Sequence, residues 1–104
     1  MKAEENIYKQ AFDVYGMDKN CGFLMEECGE LMSAVNKLRR GRVDEESVIE
    51  ELADTYQVLM AFAMHFGYDK FLLMLSKKQD KLAKALSEFT PITLTEQTNK
   101  TKEL

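Results

Sequence analysis

The chain has 104 residues, 45% of them hydrophobic and 31% charged, and its 14 basic and 18 acidic side chains leave a net charge of −4. The length predicts one domain, and the acidic balance argues against a protein that binds a nucleic acid polymer through a basic face. The charged N-terminus and the short most apolar stretch, residues 58–66, predict neither a signal peptide nor a membrane span, and therefore a cytoplasmic protein. Cys21 and Cys28 are expected to stay reduced, because one helix would hold them ~10 Å apart.

Apolar spacing and breaker residues predict four helices. Asp18 or Asn20 is expected to cap the second helix, and Asp44 the third. The predicted limits are, in chain order, about 4–15 before Gly16, 18–40 before Gly41, 44–66 before Gly67 and 69–89 before Pro91. Short loops between them favour an antiparallel four-helix bundle, an all-α fold. Residues 1–90 are expected to form one domain, and the polar residues 91–104 a flexible tail.

Two of these helices carry a regular apolar stripe that we expect to face the core. The stripe of the second helix is Leu24, Cys28, Leu31, Val35 and Leu38, and that of the third is Ile49, Leu52, Tyr56, Leu59, Ala63 and Phe66. So small a chain buries a modest share of its surface. The excess of apolar helix surface therefore predicts an oligomer, a homodimer or a homotetramer.

Acidic pairs border both stripes. Glu27 and Glu30 are three residues apart on the second helix, and Glu51 and Asp54 repeat that spacing on the third, so each pair shares a helix face. An antiparallel hairpin would bring the pairs to similar heights, where two charges ~5 Å apart repel by roughly 3 kcal/mol at an effective dielectric of ~20. Oxygen ligands of this kind suit a hard ion such as Mg²⁺ or Mn²⁺. Such pairs also occur by chance on solvated helices, so both interpretations stay open at this point.

The order of these acids resembles a known family. Glu-x-x-Glu, a spacer from Leu31 to Glu50, and then Glu-x-x-Asp resembles the signature of the MazG-like, all-α nucleoside triphosphate pyrophosphohydrolases, and residues 15–86 look like small phage-type members. The resemblance implies cleavage between the α- and β-phosphates of a nucleoside triphosphate, giving a monophosphate and pyrophosphate. It also implies that Glu27, Glu30, Glu51 and Asp54 bind Mg²⁺, with Mn²⁺ as a possible substitute. Either Glu27 or Glu30 would be the catalytic base that takes the proton of the attacking water.

Basic and aromatic side chains are candidates for substrate binding. Lys37 lies in the basic last turn of the second helix, and the resemblance implies that Lys78 and Lys81 on the last helix contact phosphates. An aromatic wall for the base could come from four residues, Tyr15, Phe23, Tyr56 and Phe62, although such spacing is more often typical of core residues. A di-iron carboxylate bundle is excluded, because it needs two Glu-x-x-His pairs. The alternatives are a helical interaction module without enzymatic activity and a nucleotide sensor.

Overall fold

All the secondary-structure elements in the described part of the chain are helices. A computed structural model describes the backbone of residues 3–89 and the side chains of residues 6–89. It contains three helices, α1 (Ala3–Arg39), α2 (Glu45–Phe66) and α3 (Tyr68–Phe89), and no strand between residues 3 and 89. The predicted all-α fold is confirmed. The predicted tail, residues 91–104, lies outside the described residues.

Helix α1 is interrupted at Gly16, whose φ of 82° and ψ of 172° are not helical. Only glycine adopts this combination readily, because a Cβ atom would strain the backbone there. The interruption falls where a helix end was predicted, and it divides α1 into an N-terminal segment (3–15) and a C-terminal segment (17–39). The helix resumes directly after Gly16, so the prediction that Asp18 or Asn20 is an N-cap was wrong.

Both segments of α1 pack against α2. In the N-terminal segment, the ring of Tyr8 lies 6.1 Å from that of Tyr56, and the ring of Phe12 lies 5.1 Å from that of Phe62. This segment therefore runs in the same direction as α2. In the C-terminal segment the order is reversed, since Glu27 meets Thr55 whereas residues 34 and 37 share a cleft with residues 43 and 47. The chain thus turns back on itself at Gly16.

The turn between α1 and α2 and the two ends of α2 follow the predicted local signals. Gly41 has a φ of 71°, and the N–H of Arg42 donates to the carbonyl of Lys37 at 2.9 Å, which closes the end of α1. Asp44 caps α2 by accepting a hydrogen bond from the N–H of Ser47 at 3.1 Å. Gly67, with a φ of 122°, ends it. These boundaries are confirmed because they depend on residues within one helical turn.

Most of the predicted apolar stripe of α2 does not pack on α1, although Ala63 is buried and Tyr56 contacts Tyr8. Ile49 and Phe66, at its two ends, are 60% and 61% exposed. The face toward α1 instead carries the acidic pair with the buried Thr55 and Ala61. Small side chains allow the two helix backbones to approach closely. Among residues 6–89, the buried hydrophobic residues are Phe12, Ala34, Met60, Ala61, Ala63 and Met64. The expectation that the α2 stripe forms the core was therefore wrong for its large side chains, which are exposed.

The chain divides into two compact units, the first ending at Tyr68 and the second beginning at Asp69. The first contains α1 and α2, and the second contains nearly all of α3. Apolar side chains recur along α3 at Leu72, Leu75, Leu82 and Leu86, and all four are exposed. Between residues 3 and 89, no single helix is long and apolar enough to cross a membrane; α2 and α3 reach that threshold only as a pair, by length and composition.

Candidate metal centre and active site

Three carboxylates from two helices converge within the first unit. Glu27 lies on the C-terminal segment of α1, and Glu51 and Asp54 lie on α2; one oxygen from each lies within 4.8 Å of those of the other two. The spacing of three residues places Glu51 and Asp54 on the same side of α2. The contact between Thr55 and the backbone of Glu27 brings that side against α1. Residues far apart in sequence thus form a compact set of oxygen ligands.

The fourth predicted acid, Glu30, lies at the edge of this cluster. Its side chain is exposed, and it does not belong to the group of three converging oxygens. Its carboxyl group is nevertheless a hydrogen-bonding neighbour of both Glu27 and Glu51 and acts on the pKa of each. The structure therefore places three of the predicted acids together and the fourth beside them.

Burial and mutual repulsion disfavour the ionised form of these carboxyl groups when no cation is bound. Burial, and then the negative charges of Glu30 and Asp54, raise the pKa of the Glu27 carboxyl above its usual range. The same causes, in the same order, raise the pKa of Glu51. One oxygen of each side chain, Oε2, is buried and has no hydrogen-bond partner among the described residues.

These two buried oxygens indicate what the cluster can bind. A buried acceptor without a donor costs about 1–3 kcal/mol, and more when it is charged. A cation would satisfy both oxygens and reduce the repulsion between the acids. Because all the candidate ligands are carboxylate oxygens, the cluster fits a hard divalent ion such as Mg²⁺ rather than Zn²⁺.

An open cleft of about 310 Å³ begins at this cluster. It is lined by Glu30, Ser33, Ala34, Lys37, Val43, Ser47 and Glu51. Lys37 lies two helical turns after Glu30, so that both side chains face the same cleft. The cleft therefore combines acidic groups at one end with a cationic side chain at the other, which suits a metal-bound polyphosphate.

A second, more apolar pocket of about 150 Å³ lies where α1 turns back. Its lining is Ile7, Tyr8, Ala11, Tyr15, Asn20, Phe23, Gln57, Val58 and Ala61. The rings of Tyr15 and Phe23 meet edge to face, with their centroids 5.3 Å apart. Phe23 lies one helical turn before Glu27, and Val58 one turn after Asp54, so the pocket adjoins the acidic cluster.

Comparison with known protein families matches residues 16–85 to the MazG nucleotide pyrophosphohydrolase domain. The chain belongs to this family. The match spans all four acids and the three predicted substrate-binding lysines, and it begins at the residue where α1 reverses. No curated protein and no solved structure matches the chain. The family is one of nucleotide pyrophosphohydrolases, so the hydrolase class and the all-α fold predicted from the sequence are supported at this level.

The other predicted site residues are distributed unevenly. Of the four aromatic candidates, Tyr15 and Phe23 line the apolar pocket, whereas Tyr56 packs on Tyr8 and Phe62 packs on Phe12. Lys78 and Lys81 lie on α3, in the second unit, where both are exposed and one helical turn apart. Their proposed contact with phosphates stays a prediction.

Sequence reasoning missed several polar residues of the MazG domain. Ser33 and Ser47 line the cleft, and Asn20 and Gln57 line the apolar pocket. Thr55 lies between the two acid-bearing helices. A signal was available for four of them, because Ser33, Ser47, Thr55 and Gln57 lie three or four residues from a predicted acid. Asn20 offered no comparable signal, since its placement depends on the reversal at Gly16.

Proposed function

We propose that this MazG domain is a Mg²⁺-dependent hydrolase that cleaves the α–β phosphate bond of a nucleoside triphosphate, or a deoxynucleoside triphosphate, to a monophosphate and pyrophosphate. The observation that carries the proposal is the convergence of Glu27, Glu51 and Asp54, with two buried oxygens that lack a donor. Membership of the family supports the reaction class. A substrate of this kind is also consistent with a cytoplasmic protein, which we include in the proposal.

The ion would be held by Glu27, Glu51 and Asp54, with Glu30 beside them as the fourth ligand. Mg²⁺, or Mn²⁺ in its place, would neutralise phosphate oxygens and promote the attack of water. Glu27 or Glu30 would accept the proton of that water, since Glu27 belongs to the cluster and Glu30 lies at its edge.

Lys37 would bind the polyphosphate in the cleft that it shares with Glu30 and Glu51. An ammonium group provides a compact positive charge, and three donors for phosphate oxygens. Lys78 and Lys81 are proposed as further phosphate contacts. In this arrangement, the acids bind the substrate through the metal and the lysines bind it directly.

The nucleobase is proposed to enter the apolar pocket that Tyr15 and Phe23 line. The pocket adjoins the acidic cluster, so a nucleotide whose triphosphate reaches the acids could place its base there. Aromatic rings provide a stacking surface that is tolerant of base identity, and the amide of Gln57 offers a donor and an acceptor at the wall. Phe23→Ala should raise KM for every substrate, whereas Gln57→Leu should change the ranking of bases.

We further propose that the MazG domain forms a four-helix bundle and assembles as a homodimer or a homotetramer. The exposed apolar stripe of α2 supports this, since Ile49, Leu52 and Tyr56 form a row of large exposed hydrophobic groups. Rows of this size are typical of surfaces that become covered. Light scattering at several protein concentrations tests the assembly, and a stable monomer would contradict it.

The decisive test is a panel of ribo- and deoxynucleoside triphosphates assayed for pyrophosphate release with Mg²⁺, with Mn²⁺ and with a chelator. We expect release from at least one substrate, loss of release with the chelator, and loss of release in Glu30→Gln and Asp54→Asn. Glu26→Gln is the matched control, because Glu26 is adjacent to Glu27 in sequence but exposed. Unimpaired turnover in both acid variants would remove the assignment.

The lysines of α3 are tested in the same assay. Lys78→Gln and Lys81→Gln should raise KM for the triphosphate, whereas Lys84→Gln, an exposed position on the same helix, should not. Equal KM values in all three variants would exclude the α3 contacts and leave Lys37 as the proposed phosphate contact.

The exposed stripe of α2 also favours a second candidate, a helical interaction module without catalysis. In that case, millimolar Mg²⁺ would not change the melting temperature and a chelator would have no effect. A nucleotide sensor would instead bind a triphosphate with Mg²⁺ and release no pyrophosphate. The melting experiment and the activity panel together separate the three functions.

A further inference from the structure

The side chain of Thr55 lies between the backbones that carry two of the proposed ligands. Its Oγ1 is 2.8 Å from the carbonyl oxygen of Glu51, one turn earlier on α2, and 3.3 Å from the carbonyl oxygen of Glu27 on α1. The residue is 8% exposed. The hydroxyl therefore contacts the main chain of both residues and does not itself belong to the group of converging oxygens.

A threonine hydroxyl has a single proton to donate. The shorter distance shows that the bond to Glu51 is the stronger, and the carbonyl of Glu27 shares the same donor more weakly, as a three-centre bond. Each helical carbonyl also accepts from its own helix and keeps a second lone pair for such a contact. The hydroxyl thus joins α1 to α2 at the level of the acidic cluster.

The cluster needs such a connection. One carboxylate oxygen of Glu27 and one of Glu51 lie within 4.8 Å of each other. When both groups are ionised and no cation is bound, their repulsion acts to separate the two helices. A bond between the backbones opposes that separation without occupying a carboxylate oxygen. Both Oε2 atoms consequently stay available to a ligand.

We propose that Thr55 is a positioning residue whose hydroxyl sets the separation of Glu27 and Glu51 and thereby the affinity of the site for a divalent cation. The inference rests on the proposed metal-dependent function. It assigns to Thr55 a role that is distinct from metal ligation and from contact with substrate. Groups that orient metal ligands without touching the metal typically change affinity by about 10–100-fold when removed.

The test compares Thr55→Ser with Thr55→Ala, because these two variants both lack the methyl group and differ only in the hydroxyl. Binding of Mn²⁺ alone is measured by electron paramagnetic resonance, together with far-UV circular dichroism and the melting temperature. We expect the serine variant to bind Mn²⁺ within a few-fold of the wild type, and the alanine variant to bind on the order of 10–100-fold more weakly. Thr55→Val, which keeps the volume of threonine, should resemble the alanine variant.

A buried position elsewhere on α2 controls for a general loss of stability. Met64 is 8% exposed and lies more than two turns beyond Thr55, so Met64→Val should lower the melting temperature and leave the Mn²⁺ dissociation constant unchanged. With active protein, the alanine variant should regain activity at higher metal concentration, because its defect is one of affinity.

Each outcome of these measurements tests either the role of Thr55 or the proposed function. Equal Mn²⁺ affinity of the serine and alanine variants would overturn the role of Thr55, provided that the wild type binds the ion. Loss of Mn²⁺ binding in step with melting temperature, in the Met64 control as well, would show a purely structural role and would also overturn it. If the alanine variant does not fold while the serine variant does, the role of the hydroxyl is purely structural, and the proposal is overturned as well. No Mn²⁺ binding by the wild type would instead remove the proposed function.

Discussion

The side-chain amide of Asn20 donates a hydrogen bond of 2.6 Å to the carbonyl oxygen of Gly16. The same Nδ2 lies 3.4 Å from the carbonyl oxygen of Phe12, and Asn20 is only 2% exposed. A chain reversal interrupts the regular hydrogen bonds of a helix, and buried carbonyl groups left without a donor are costly. Asn20 supplies that donor on the inside of the turn, and so holds the N-terminal segment against the rest of α1.

The donor of Asn20 is therefore expected to contribute to stability. Asn20→Asp keeps the shape of the side chain and, when ionised, loses the donor, so the free energy of unfolding should fall by about 1–3 kcal/mol or more. Urea denaturation at pH 7 measures the change. Asn36→Asp is the matched control, because Asn36 lies exposed on the same helix. An equal loss of unfolding free energy in both variants would show that the hydrogen bond from Asn20 to Gly16 is not the cause of the loss.

Gly16 itself is expected to tolerate no side chain. Gly16→Ala should destabilise the domain by about 1–3 kcal/mol, because its φ of 82° and ψ of 172° strain any residue with a Cβ atom. Nothing lies within 4 Å of the position that this atom would take, so the cost is one of backbone conformation and not of collision. Gly22→Ala should have the opposite effect on stability. Gly22 is helical and equally unobstructed, so alanine there should stabilise the domain by up to about 1 kcal/mol. Thermal melts of the two variants that shift in the same direction would contradict this account.

The cap of α2 should give a defined dependence on pH. Hydrogen bonds from the backbone and then the side chain of Ser47 lower the pKa of Asp44 below its ordinary value of 3.8. The unfolded chain thus binds the proton more tightly, so the contribution of Asp44 to stability is complete above pH 3.8 and is lost as the pH falls through its lowered pKa. Asp44→Asn keeps an acceptor but does not titrate. The stability difference between wild type and this variant, measured by urea denaturation, should therefore be constant above pH 5 and change below pH 3.8; a difference that is independent of pH would refute the shift.

Removing one acid should stabilise the metal-free protein and abolish its response to metal. In Glu27→Gln the repulsion with Glu30, Asp54 and Glu51 is relieved, so the melting temperature in a chelator should rise above that of the wild type. Added Mg²⁺ should stabilise the wild type by about 2.7 kcal/mol at a concentration of 100 times the Kd, and should leave the variant unchanged. Glu26→Gln, at the adjacent exposed position, should behave as the wild type in both conditions. A variant that melts lower than the wild type in a chelator would show that the acids do not strain the fold.

The cleft predicts a phosphate contact for Lys37. Lys37→Gln should raise KM for the triphosphate by about 10–100-fold, the equivalent of one charged hydrogen bond, with a smaller effect on kcat. Arg39→Gln is the control from the same helical turn, since Arg39 lines a different surface cleft with Leu31, Met32 and Val35. Steady-state kinetics of the two variants measure the change in KM for each. A KM that rises equally in both variants would indicate a general effect of charge.

Local signals in the sequence were sufficient for the end of α1 and for both ends of α2. Asp44, Gly41 and Gly67 act through hydrogen bonds and backbone angles within one turn, and all three were predicted where the structure has them. The break at Gly16 was also predicted, but not its consequence. A glycine between two helical patterns allows a reversal, a kink or a loop, and only the packing of Phe12 on α2 selects among them.

The apolar faces show where periodicity is insufficient. The row of large residues beginning at Ile49 satisfies the pattern of a buried helix face, yet it is exposed, while the smaller Thr55 and Ala61 pack on α1. A helical pattern reports which residues share a face and not which neighbour that face meets. For the same reason, the sequence could not distinguish Tyr15 and Phe23, which line a pocket, from Tyr56 and Phe62, which pack on other rings.

The sequence by itself determined that the chain is helical, where α2 and α3 lie, and which four acids are candidates for a metal, because these properties depend on spacings of three or four residues along one helix. Only the tertiary structure decided that Glu27, Glu51 and Asp54 share a cluster with Glu30 at its edge. It also decided that Thr55 contacts the backbones of Glu27 and Glu51, and that Asn20 donates to the backbone at the reversal. The physical reason is that a carboxylate site is made by the approach of two helices to within a few ångströms. That approach depends on small side chains and single hydrogen bonds that leave no periodic trace in the sequence.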